Sequence, residues 1–302
     1  MVPSVPIVEA KETAHWPAHV AELLRERFGD HTDAVLLYGS WLRGNRSTLL
    51  DFYVLIDSYS AYSSPVQACA NYLLAPNVYH LQTDMNGEQV AAKYAVVSTN
   101  AFFNAIANDF HSYFWARFAQ PFDTVFVRND EILATLKSAA LRSATRVIEE
   151  TAPLLDSHFT TDELWTAALR NTYACELRSE GQDKSIELVN HNRDHFDQLT
   201  SSVARSSGWL SAASDGWTVS PSPESPRGSA SRWWHRRALG KFLSAARLLK
   251  AALTFNDALA YVLWKVERHS DIREEASPLQ HRYPLLFAWP VLWRLYRRGG
   301  FR

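Results

Sequence analysis

The sequence predicts an α+β protein: a mixed-sheet domain with helices outside it, a mainly helical second domain, and an amphipathic C-terminal segment. Three observations predict it. Short apolar runs of strand character crowd residues 34–98, apolar residues fall at helical spacing from about residue 131, and aromatic and basic residues mingle at 283–298. At 302 residues, 47% hydrophobic and 21% charged, the chain is long enough for about two domains and apolar enough to bury a core.

Taken in order, PAHVAELLRERF (17–28) places its apolar residues on one face and stops at Gly29, which predicts a helix. AVLLYGS (34–40) and LLDFYVLID (49–57) read as strands, followed by a helical segment near 61–74. PNVYHLQ (76–82) and KYAVVS (93–98) add two more strands and carry the first domain to residue 130. A second domain over 131–230 opens with EILATLKSAALRSATRVIEETAPLL, and TTDELWTAALRNTYACELR reads as a further amphipathic helix capped at Thr161. Ser, Pro and Gly punctuate 201–231, which reads as a linker or surface loop. Residues 231–302 form a third, basic helical region. No internal repeat is visible.

The net charge of −1 conceals a division. Residues 231–302 hold 14 Lys and Arg against 5 Asp and Glu, a surplus of nine, which leaves −10 for residues 1–230. A basic third on an acidic body implies an anionic partner. Two cysteines, Cys69 and Cys175, are too few for a disulfide framework and suit a reducing compartment, and MVPSVPIVEAKE lacks the pattern of a secretory signal.

The chemistry is concentrated in VLLYGSWLRGNRSTLLDFYVLID (35–57). Gly39 allows close backbone approach, so that neighbouring N–H groups and the Ser40 hydroxyl face phosphate oxygens. Asp51, on the next strand, offers the carboxylate that a hard divalent ion such as Mg²⁺ prefers. A Gly-Ser turn followed by an acid on the next strand is how nucleotidyltransferases present a triphosphate to a metal. Those enzymes usually carry a second acid two residues on, where this chain has Tyr53. Asp57 shares the face of Asp51 but lies about 20 Å along a regular strand, too far to share one ion, and reads better as a helix cap. His80, His111, His191 and His195 form no metal-binding spacing.

YGS…LLDFYVLID resembles the YGSG…MLDFxFxVDD signature of the mitochondrial-type phosphatidate cytidylyltransferases, the CDP-diacylglycerol synthases of the translocator-maintenance family, which also lack the second acid. The likeness runs on in order through PNVYHLQ, KYAVVSTNAF, FHSYFWARFAQPFDTVFV, YACELRSEGQDKSIELVNHNRDHF and RALGKFLSAARLLKAAL, covering roughly residues 34–268. It implies a nucleotidyltransferase fold in the first domain, CTP phosphates at Gly39 and Ser40, and a metal on Asp51. It further implies Lys93 as a catalytic residue and Arg117, Arg178 and Lys184 as phosphate contacts, with Glu180 and Asp183 as candidates for the metal shell. The chain departs from the family pattern at Trp41, which replaces a Gly and is expected to narrow the loop, at Ser58, which replaces an acid, and at Gln120, which replaces a Lys.

The uncharged run Tyr283–Trp293 is 11 residues long and interrupted by Pro290, well short of the roughly 20 needed to span a bilayer. Trp289 and Trp293 beside Arg294, Arg297 and Arg298 are the mixture expected of a segment lying in an anionic lipid interface, the other reading being a helix docked on the protein's own core. The apolar run argues for lipid over nucleic acid. The expected reaction is therefore transfer of cytidylate from CTP to phosphatidic acid, dependent on Mg²⁺ or a similar ion, by a peripheral protein on the cytoplasmic face of a membrane. Transfer to a soluble hydroxyl acceptor and a catalytically inactive membrane-binding relative are the alternatives.

Overall fold

The computed structural model describes residues 15–45, 49–59, 71–72, 74–85, 88–176, 182–220, 225–254, 263, 274–282 and 289–298. The chain divides into two compact units, Met1–Leu243 and Ser244–Arg302.

The first unit is built on a five-stranded mixed sheet of order β3-β4-β2-β1-β5, with β1 Thr32–Tyr38, β2 Leu50–Ile56, β3 Asn77–Met85, β4 Glu88–Ser98 and β5 Phe122–Val127. Only β2 and β4 run parallel; the other neighbours are antiparallel. The central strands are apolar on both sides because both faces are covered. Alternate residues Ala34, Leu36, Tyr53, Leu55, Ala95 and Val97 face one core with α2 (Thr99–Asn108), α3 (Tyr113–Phe118) and α4 (Asp130–Thr151). Val35, Leu37, Phe52, Val54, Tyr94 and Val96 face the other, against α1 (His15–Phe28). Five of the expected elements therefore appear where periodicity put them. The helix expected at 61–74 lies almost wholly outside the described residues. The sheet also holds a strand not anticipated, β5, which pairs Phe122 with Tyr38 at the edge of β1.

Beyond the sheet come β6 (His158–Phe159), α5 (Thr161–Tyr173), α6 (Gln182–His191), α7 (Arg193–Ser206), β7 (Leu210–Ala213), β8 (Gly216–Val219) and α8 (Pro226–Thr254). The cap of α5 is Thr160, one residue before the expected Thr161: its hydroxyl accepts from Glu163 N–H while Glu163 takes the Thr160 backbone N–H, a capping box. Most of the stretch read as a linker is ordered instead. Residues up to 206 complete α7, and Leu210–Val219 form a hairpin that pairs with β6, because Trp217 and Leu210 pack into the core the composition concealed.

One face of α8 is buried. Ser229, Trp233 and Arg236 are enclosed, and Arg236, 1% exposed, forms a bidentate pair with Glu150 at 2.6 and 2.8 Å, flanked by the rings of Phe110, Trp115 and Trp233. In the second unit, α9 (Pro278–Arg282) is followed by α10 (Trp289–Arg297), whose buried Val291 and Leu295 pack against the partly buried Leu263 and Ala276. Among the described residues no helix is long and apolar enough to cross a membrane.

Candidate active site

The site forms where β1 ends and β2 begins. Antiparallel register sets Asp51 opposite Tyr38, and the parallel register of β2 with β4 sets it opposite Lys93, so three strands place these side chains on one face. Gly39 leaves β1 at φ +91°, ψ −156°, a region open essentially to glycine, and turns the chain into a single helical turn from Ser40 to Arg43. A β-carbon there would stand 3.0 Å from Oδ2 of Asp51. The guanidinium of Arg43 donates back to the Gly39 carbonyl at 3.2 Å and braces the turn.

Asp51 is 26% exposed, and its nearest cation is Lys93, whose Nζ lies 3.9 Å from Oδ1. Burial raises its carboxyl above the usual carboxylate range, and the charges of Lys93, Arg117 and Arg43 oppose that rise. Arg117 reaches in from α3, its guanidinium 5.2 Å from the ring of Tyr38 and 5.4 Å from that of Tyr113, with one N–H donated to Glu176 at 3.3 Å. Its Nε is buried without a hydrogen-bond acceptor among the described residues. Arginine keeps its charge in such a setting, so the guanidinium has donors to spare for an anion. Tyr53, where a second acid would stand, is fully buried, and its hydroxyl donates to that of Tyr113 at 3.4 Å.

The structure thus brings together Gly39, Ser40, Asp51, Lys93 and Arg117. Arg178 and Glu180 lie outside the described residues, as does the side chain of Asp183. Lys184 sits on α6, where it pairs with Glu187 at 3.1 Å. Asp57 lies at the opposite end of β2, where it meets His31 at 3.0 Å and Arg128 at 4.0 Å; the helix it was expected to cap lies almost wholly outside the described residues. Trp41 does not narrow the turn on the Asp51 side. Its ring is buried in the α1-side core and stacks on Trp16 at 5.8 Å between centroids. Sequence reasoning missed Tyr38, Arg43, Tyr113 and Glu176. Only Tyr38 and Arg43 had a signal, as neighbours of the Gly-Ser turn.

Among the described residues, no group of three or more His, Cys, Asp or Glu side chains could hold a metal. A lone carboxylate, to which no described residue donates a hydrogen bond, still fits a hard cation that takes one protein carboxylate and completes its shell with phosphate oxygens and water.

A mixed sheet that turns at a glycine onto one carboxylate, with cations around it, is the arrangement expected of a nucleotidyltransferase. Residues 37–215 match the family described as mitochondrial phosphatidate cytidylyltransferase. That is more than half of the chain, and the protein belongs to this family. No curated protein matches the chain. Among solved structures, a nucleotidyltransferase-like protein from Exiguobacterium sibiricum 255-15 is similar over 94% of this chain and 92% of that one, at 11% identity and a TM-score of 0.28, a likeness too remote to carry an argument.

Proposed function

We propose that this chain transfers cytidylate from CTP to phosphatidic acid at a membrane surface, releasing pyrophosphate and CDP-diacylglycerol. The observation that carries this reading is one partly buried carboxylate, Asp51, beneath a glycine turn, with Lys93, Arg117 and Arg43 acting on its charge. Three cations against so few acids suit two phosphate-bearing substrates better than a sugar or an amine. On this reading the Gly39-Ser40 turn receives the triphosphate, and Lys93 and Arg117 offset the charge that develops on the leaving pyrophosphate. Asp51 would hold Mg²⁺ or a similar ion, which when bound supplies Lewis-acid charge neutralisation.

An oxygen of the phosphatidate phosphate forms the new bond to the α-phosphorus while the bond to the β-phosphate oxygen breaks. That nucleophile is already anionic near neutral pH, so no base is required to deprotonate it. Tyr53, buried with its hydroxyl on Tyr113, is in keeping with such an acceptor, since a hydroxyl substrate would need a proton taken away. In the second unit, α10 exposes Trp289 and Trp293, 67% and 60%, while Arg294 and Arg298 pair with Glu274 and Arg297 is exposed. Both readings of this segment thus have support, with one face packed and the other of the composition that lies in a lipid interface.

The test is conversion of labelled CTP by the purified protein on phosphatidate vesicles with Mg²⁺, comparing wild type with Asp51→Ala. CDP-diacylglycerol that vanishes in the variant supports the reading. No product from a folded wild type, or full activity without Asp51, sinks it.

A further inference from the structure

A second surface of the first unit has the composition of a lipid contact. Helix α8 buries Ser229, Trp233 and Arg236 and turns a different side chain set outward. Trp234 is 64% exposed, Phe242 69% and Leu239 37%. At helical spacing Trp234, Ala238 and Lys241 share one stripe, bordered by Arg237 and Phe242, and all five are exposed. Large rings left in water about two turns apart on one helix are uncommon unless something covers them.

The charge of the helix points to the occupant. From Pro226 to Thr254 there are seven basic residues, Arg227, Arg232, Arg236, Arg237, Lys241, Arg247 and Lys250, and no acidic one. Arg232 and Arg236 are turned inward to Glu150, while Arg237 and Lys241 stand on the exposed face beside the rings. Aromatic rings flanked by lysine and arginine, on a helix that carries no acid of its own, match a bilayer interface of anionic lipid, where rings sit at headgroup depth and cations meet phosphates. A protein partner would leave those charges to be matched by an acidic surface of its own.

We infer that this face of α8 is a docking surface for an anionic bilayer, additional to the exposed tryptophans of α10. The choice of a bilayer leans on the lipid acceptor proposed above, but the composition of the helix points the same way by itself.

The test is flotation of the full chain with phosphatidylcholine vesicles, with and without phosphatidylglycerol or phosphatidate. Wild type should float with both anionic compositions and not with phosphatidylcholine alone. W234S/F242S, both changes at exposed positions, should melt like wild type and float about tenfold less well. K241E should weaken flotation at low salt, with the difference shrinking as salt is added. Equal flotation of wild type and W234S/F242S overturns the inference. So does a variant whose flotation is unchanged while its state of self-association shifts in light scattering, which would make the face a protein contact. Transfer to phosphatidate dispersed in detergent separates this inference from the reaction itself. W234S/F242S should match wild type there, and absence of product in both would remove the reaction while the flotation result stood.

Discussion

Gly39 and Asp51 fit together so closely that a β-carbon on the glycine would stand 3.0 Å from the carboxylate oxygen Oδ2. The glycine also holds a backbone conformation that costs other residues about 1–3 kcal/mol. Gly39→Ala should therefore lower thermal stability modestly and lower turnover of CTP far more, because relief of the contact displaces Asp51. Melting curves and initial rates on the same preparation check this, and an alanine variant with full activity would mean that the turn does not position the acid.

Lys93 and Arg117 act on Asp51 from different elements, and their substitutions should differ. Lys93→Met removes charge 3.9 Å from Oδ1 and should reduce kcat/KM for CTP by about a hundredfold. Arg117→Lys keeps the charge but gives up the planar group set against Tyr38 and Tyr113, and should still cost about tenfold. A lysine at 117 that restores wild-type kinetics would show that only charge matters there.

Two partly buried groups titrate in opposite senses over nearly the same pH window. Burial pushes His195 down to about 4, with its Nε2 near the Ala119 carbonyl at 3.2 Å, so the unfolded chain takes up a proton first and stability falls as pH drops from about 6.5 to 4. Burial pushes Asp123 up to about 6, so the folded chain holds that proton longer and stability falls as pH rises from about 4 to 6. His195→Gln should flatten the acid loss. Asp123→Asn should raise the melting temperature at neutral pH and converge with wild type near pH 4. Denaturant midpoints across this range for both variants check the signs.

Glu150→Gln should cost about 3–5 kcal/mol, since it leaves the enclosed guanidinium of Arg236 without its counter-charge. Urea unfolding measures it. A loss below about 1 kcal/mol would mean that water reaches the pair.

Gly240 stands where α8 meets the end of α5, and a β-carbon there would lie 2.5 Å from the Cys175 carbonyl oxygen. Gly240→Ala should destabilise by about 1–3 kcal/mol despite alanine's better helix propensity. A more stable variant would show that the helix can shift without loss.

The parts of this fold legible in sequence were those written in local pattern. Strands β1 and β2 announce themselves by composition, and Gly39, Ser40 and Asp51 by their order along the chain. What stayed hidden depends on tertiary placement. Nothing near residue 117 says that its guanidinium will lie against Tyr38, 79 residues earlier, or that Glu176 will meet it. Trp41, where the family pattern has a glycine, looked like an obstruction because its direction was unknown; the ring turns to the α1 side. The hairpin at 210–219 was masked by Ser211, Ser214 and Gly216, whose turn signals outweighed one buried position, Leu210, and the partly buried Trp217.

Glu150 also sets an order on the making of this protein. Its backbone carbonyl accepts from Ser229 and Trp233 and its carboxylate from Arg232 and Arg236, all synthesised some 80 residues later. A nascent chain that has emerged only as far as the hairpin therefore carries a complete central sheet and an acid in α4 with no partner from α8. The sheet can form during translation, but α4 cannot reach its final state until α8 clears the ribosome. A chain stopped just after residue 220 should be held by chaperones or degraded, even though every described strand and the Gly39–Asp51 segment are already present.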